Sequence, residues 1–139
     1  MADNLSKQLR SKVMRAIRSK NTKPELIVRK LIFSLGYRYR LKRPRLPGRP
    51  DLIFASRQKV IFVHGCFWHV HHGCSIAHIP EYPFWREKLK KNKSRDSAAV
   101  KALNRSGWRT LIIWECELKN LRLIRERLIK FLGPRNFRR

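Results

Sequence analysis

Acidic residues are scarce in this chain: 9 Asp plus Glu stand against 34 Lys plus Arg, a formal net charge of +25 over 139 residues. A surface so short of negative charge repels itself unless a polyanion is its ordinary partner, and the commonest such partner is nucleic acid. Cysteine is sparse too. Three thiols, an odd number, in a chain read as unsecreted argue against a disulfide framework and favour a metal. Apolar runs are short: none approaches the roughly 20 residues of a membrane-spanning helix, and the polar start MADNLSKQLR has no signal-peptide apolar region. No internal repeat and no low-complexity linker divides the chain. The expectation is a single domain over residues 1–139, cytoplasmic and associated with the nucleoid, with no membrane contact.

What is present concentrates in one place. Residues His64 to Cys74, reading HGCFWHVHHGC, hold two of the three cysteines and four of the five histidines. Thiolate and neutral imidazole are the usual protein ligands of zinc, so this segment reads as a loop held by a metal. A closed structural site wants four ligands, and Cys66, Cys74, the distant Cys116 and one histidine supply Cys3His. His71 and His72 compete for the imidazole position; His71 is favoured because it leaves a small turn with Gly73 before the second thiolate. Buried free thiols with surface histidines are the plainer alternative.

Periodicity predicts helices over Ser6–Arg18, Pro24–Leu35, Phe84–Ser106 and Asn120–Leu132, the last stopped by Gly133-Pro134. Thr22 with Glu25 forms a capping box for the second. Strands are predicted over Tyr37–Leu41, Asp51–Ala55, Val60–His64 and Arg109–Trp114, and the apolar middle two suit a sheet covered on both faces. RPRLPGRP, residues 43–50, forbids regular structure. The order of elements points to an α/β fold with a mixed sheet between helices.

Several polar residues fall where apolar ones are expected. On the long helix Trp85, Leu89, Val100 and Leu103 define the buried stripe, and Asn92 and Asp96 lie within it. A buried carboxylate needs a partner, so Asp96 calls for a histidine of the metal loop or one of the many arginines. Glu25 caps its helix yet borders the Val28 and Ile32 face, so capping alone and a reach into a site both stay open. Asp51 opens a strand that a tight hairpin would set beside His64 and, through the loop, near His69. A carboxylate there can hold Mg²⁺, although Asp before a strand is also an ordinary turn residue.

Five segments carry a resemblance to a known family: LPGRPD at Leu46–Asp51, VHGCFWH at Val63–His69, FWREKLKKNKSRD at Phe84–Asp96, GWR at Gly107–Arg109 and IIWEC at Ile112–Cys116. In this order they resemble the very-short-patch repair (Vsr) mismatch endonucleases. The resemblance implies a restriction-endonuclease-like, PD-(D/E)xK-type three-layer fold, with a central mixed sheet flanked by helices and a structural zinc site. It implies a catalytic Mg²⁺ on Asp51 and the Val63 backbone carbonyl, His69 as general base, Asp96 as its orienter, His64 at the charge developing on phosphate, and Glu25 in the metal–water network. Cys66, His71, Cys74 and Cys116 match the Zn²⁺ ligands, with Gly73 resembling an insertion. Phe67, Trp68 and Trp85 match aromatics that wedge into the duplex, although Trp85 also suits the core, and Trp108 and Trp114 read as core or edge residues.

The implied activity is Mg²⁺-dependent nicking of one strand beside a T:G mismatch left by deamination of 5-methylcytosine. The implied partners are double-stranded DNA containing that mismatch, mismatch-repair proteins, and a cognate cytosine methyltransferase of the same pathway. A monomer is expected, since no oligomerisation stripe is visible. A restriction-type nuclease cutting both strands, or a zinc-stapled DNA-binding module without catalysis, are the competing readings. The basic helix within residues 1–20, with Lys7, Arg10, Lys12, Arg15 and Arg18, is either a DNA-contacting arm or a solvated face.

Overall fold

The computed structural model describes residues 22–41, 46–71, 74 and 83–134. The basic helix expected within residues 1–20, His72 and Gly73 lie outside them. Three helices and three strands make up the frame: α1 (Lys23–Ser34), β1 (Leu52–Phe54), β2 (Lys59–His64), α2 (Pro83–Arg105), β3 (Arg109–Trp114) and α3 (Leu121–Leu132). Thr22 caps α1, its side chain accepting from the Glu25 N–H, and Asn120 caps α3 in the same way through the Leu123 N–H. These side chains satisfy amide groups that the first helical turn leaves without partners.

The sheet order is β1-β2-β3, with β1 antiparallel and β3 parallel to β2. It is the mixed sheet expected. The α2 crossover makes the parallel pairing possible, and both faces are covered, which is why the strands read as continuous apolar runs. On one face Leu52, Phe54, Ile61 and Ile113 pack with Val28 and Ile32 of α1 and with Ile124, Leu128 and Leu132 of α3. On the other, Ile53, Val60 and Phe62 pack with Leu103 of α2, against partly buried Trp108 and Ile112. The result is helices, sheet, helix, stacked in three layers.

One element differs from the sequence reading. Tyr37–Leu41 does not form a strand; only Arg40 pairs, in a single antiparallel bridge to Ile53. Tyr37 is instead committed to the core, its hydroxyl donating to the Gly133 carbonyl at 2.5 Å, while Arg38 and Arg40 face solvent. One buried aromatic and two solvated guanidiniums supply the alternation of a strand without a second rung of pairing. In α2 the buried position falls on Ala99 rather than on Val100, which is half-buried. None of the helices among the described residues is long and apolar enough to cross a membrane.

Candidate active site and thiolate cluster

Asp51 is delivered by a segment whose backbone has little choice. Gly48 has φ +74°, and a Cβ there would stand 2.6 Å from the Ala99 Cβ and 3.2 Å from two Phe62 ring carbons. Only glycine fits between β2 and α2 in that conformation. Arg49 follows at φ +49° and Pro50 is buried. Asp51 then docks on β2: its N–H donates to the Ile61 carbonyl at 3.1 Å, and its Oδ2 accepts from the Val63 N–H at 2.7 Å. Asp51 and Val63, both named for the magnesium set, are therefore neighbours.

Glu25 meets Asp51 from the first turn of α1. It is 4% exposed, it pairs with Arg29 one turn on, and its carboxyl also contacts that of Asp51. The capping alternative is thereby narrowed: Thr22 caps the helix, and the Glu25 side chain turns to the site. Burial, followed by the adjacent Glu25 charge, pushes the Asp51 carboxyl up to about 7, against the pull of the Val63 N–H and of His69. Two carboxyl groups crowded in a buried place are the donor chemistry of a hard divalent cation.

His64 ends β2 and is 4% exposed. Its ring lies flat on that of His69, centroids 3.8 Å apart and planes within 7°. Burial, with His69 alongside, lowers its pKa to about 4, so the ring is neutral near pH 7. His69 is anchored from the other side, its Nδ1 standing 2.5 Å from the Asp96 Oδ2. Asp96 is thus half-buried with an imidazole partner, and Asn92, one turn earlier on α2, donates to the Trp68 carbonyl at 3.0 Å. Both polar residues of the apolar stripe reach back to the loop. Ligand atoms of His64, His69 and Asp96 lie within 4.8 Å of one another. Two parallel rings cannot aim in-plane lone pairs at one ion, however, so the trio is arranged as a stacked ring on a hydrogen-bonded pair rather than as a coordination site.

The second cluster is Cys66, His71, Cys74 and Cys116, whose donor atoms also lie within 4.8 Å of one another. His71 Nδ1 is 3.6 Å from the Cys66 sulfur and 3.4 Å from that of Cys116. A tetrahedral zinc with ordinary bond lengths has donor–donor edges of about 3.5–3.8 Å, so the set fits a closed metal site. Burial pushes the Cys66 thiol up to about 12 and raises that of Cys116. Between the two clusters stands Val70 at φ +51°, a costly conformation for a β-branched residue. That left-handed step sends His69 to Asp96 and His71 to the thiols.

Phe67, Trp68 and Trp85 form one aromatic group, with centroids 5.0 Å (Phe67–Trp68), 5.7 Å (Phe67–Trp85) and 5.7 Å (Trp68–Trp85) apart. Trp85 is buried at 8% exposure, whereas Phe67 and Trp68 are half-buried on the loop. Sequence reasoning missed two residues here. Arg29 braces Glu25, a salt bridge hidden by the abundance of arginine, although its i,i+4 spacing was a usable signal. Trp114, read as core or edge, stacks on His71 at 4.1 Å and meets His64 edge-on at 5.1 Å.

Fold and site together define an α/β protein with a histidine–aspartate pair and a crowded carboxyl pair at its sheet, braced by a Cys3His cluster. A family model described as DNA mismatch endonuclease Vsr matches residues 2–75. The type II nicking enzyme V.XorIIP of Xanthomonas oryzae pv. oryzae is 47% identical over 136 residues, covering 96% of this chain and 99% of the relative. The DNA mismatch endonuclease Vsr of Escherichia coli is 44% identical over 121 residues, 86% of this chain and 77% of that protein. A type II nicking enzyme of Neisseria meningitidis is 45% identical over 130 residues, 92% of each chain. The chain belongs to the Vsr family of DNA mismatch endonucleases.

Proposed function

We propose that this chain nicks one strand of duplex DNA beside a T:G mismatch, with Mg²⁺ at Asp51 as catalytic cofactor and Zn²⁺ in the Cys3His cluster as a structural one. The observation that carries the reading is the His69–Asp96 pair at 2.5 Å, its imidazole stacked on His64 at the end of the strand on which Asp51 docks. Asp96 fixes the His69 tautomer by taking the Nδ1–H, leaving Nε2 to accept the proton of the attacking water. His64, neutral and buried, lies against that base and is placed to donate toward the scissile phosphate. Asp51 and the Val63 carbonyl are the proposed holders of Mg²⁺, with Glu25 ordering the surrounding water. Bound there, the cation supplies charge neutralisation at the phosphate.

The Cys3His set has all four positions filled by protein and leaves no open position for chemistry. It ties the loop that follows His64 and carries His69 to Cys116, just past the end of β3. Phe67 and Trp68, half-buried on that loop, are proposed to enter the duplex, where unstacking costs least beside faulty pairing. The positive charge tracks the phosphates, and residues 1–20 serve as a further DNA-contacting arm. A fold of the restriction-endonuclease-like class, a monomeric state, and a place beside a cytosine methyltransferase and mismatch-repair proteins complete the proposal.

The test is a nicking assay on otherwise identical T:G and C:G duplexes in Mg²⁺ or EDTA. Single-strand nicking confined to T:G with Mg²⁺ is expected. Equal cutting of both duplexes, a double-strand break, or full activity in EDTA would contradict the proposal.

A further inference from the structure

We infer that Trp114 is a positioning residue for strand nicking, fixing the His64 ring and coupling its orientation to the order of the Cys3His cluster. The inference rests on the proposed role of His64 at the phosphate. His64 and Trp114 are register partners across the parallel β2 and β3 ladder, so their side chains leave the same face of the sheet. Among the described residues the indole has two imidazole neighbours. One is His71 of the thiolate cluster, stacked at 4.1 Å with planes 6° apart; the other is His64, edge-on at 5.1 Å and 76°.

His64 needs such a contact. Its Nδ1 is buried with no hydrogen-bond partner among the described residues, so none of them sets the ring's rotation through that nitrogen. Packing must do it, through the His69 face, the Phe62 ring at 5.5 Å and the Trp114 edge. Trp114 is itself held firmly: its N–H donates to the Glu117 Oε1 at 2.8 Å, Glu117 pairs with Arg127, and Arg127 donates to the Ile112 carbonyl at 3.2 Å. A ring fixed at its backbone and clamped by His71 leaves His64 little room to turn. Removing the indole opens space beside His64 while leaving all four donor side chains of the cluster in the chain.

The experiment compares Trp114→Leu, Trp114→Phe and His64→Ala, each with its bound zinc measured, in steady-state nicking of a T:G duplex and in imidazole NMR of His64. Trp114→Leu should keep its zinc and its KM while kcat falls on the order of 10- to 100-fold, the size of loss a catalytic group displaced by about 1 Å produces. Trp114→Phe should recover most of kcat and return the His64 resonances, shifted in Trp114→Leu, toward their wild-type positions. Unchanged kcat in zinc-loaded Trp114→Leu, or equal losses in the Leu and Phe variants with His64 unshifted, would overturn the inference. Should Trp114→Leu lose zinc, Trp114→Met, which keeps bulk without a ring, takes its place with the same two outcomes. Wild-type nicking by His64→Ala would instead overturn the role proposed for His64, which keeps the two failures apart.

Discussion

His69 carries the proposed proton transfer, and Asp96 makes it a base with a defined lone pair. Asp96→Asn keeps the shape but replaces an acceptor by an amide that can hold the wrong tautomer. Nicking should fall by about 10²–10⁴-fold, the usual worth of a positioned base, with duplex affinity and zinc content retained; near-normal nicking would remove Asp96 from the account. Two buried groups set a pH dependence of opposite sign. His64, lowered to about 4, refuses a proton that the unfolded chain takes, so its contribution to stability falls as pH drops from about 6.5 toward 4. Asp51, raised to about 7, holds a proton that the unfolded chain has released, so its contribution is full below about 3.8 and lost as pH rises through 7. Over pH 4 to 6.5 the two oppose each other. In magnesium-free Asp51→Asn only the His64 effect remains, and urea unfolding should show stability rising with pH there by up to about 1.4 kcal/mol per unit. Asp96 and Asn92 were legible because a helical wheel exposes polar residues on an apolar stripe. Trp114 was not, because its role depends on β2–β3 register and on a loop conformation that no local spacing encodes.

The segments around the sheet decide whether those side chains meet. Gly48 admits no side chain: Gly48→Ala would press a methyl into Ala99 at φ +74°. It should cost about 2 kcal/mol or more in chemical denaturation and weaken nicking by shifting Asp51; an unchanged denaturation midpoint would contradict the close packing. The loop after β2 carries three of the four donors of the proposed metal site. Cys116→Ser should lower bound zinc well below the wild-type content and reduce the melting temperature, because metal binding is folding energy in such sites; full zinc retention would exclude Cys116 as a ligand. The three helices among the described residues were legible to within a residue or two, since Thr22, Asn120, Gly107 and Gly133 mark ends by local chemistry. Tyr37–Leu41 was misread because alternation reports which side chains are buried, not whether a partner strand runs alongside. The pairing of His71 with the thiols needed the left-handed turn at Val70, which a valine does not advertise.

For the whole molecule, charge and layering serve one task. A formal charge of +25 on a three-layer frame predicts duplex binding dominated by phosphates. The logarithm of affinity should fall with the logarithm of salt at a slope of about −5 to −9, the release expected for roughly six to ten phosphates. A slope near zero in fluorescence anisotropy would show that this charge is not a DNA surface. Fold class followed from the order of elements, and the apolar runs of the middle strands already called for cover on both sheet faces, which the packing bears out. The central claim is that Asp51 and His69 act on one attacking water while the thiolate cluster only braces the scaffold. A double-mutant cycle of Asp51→Asn and His69→Ala, read as single-turnover nicking of a T:G duplex by zinc-loaded protein, tests it most directly. The account predicts a double variant no slower than the slower single variant; losses that multiply would mean that the two residues act independently.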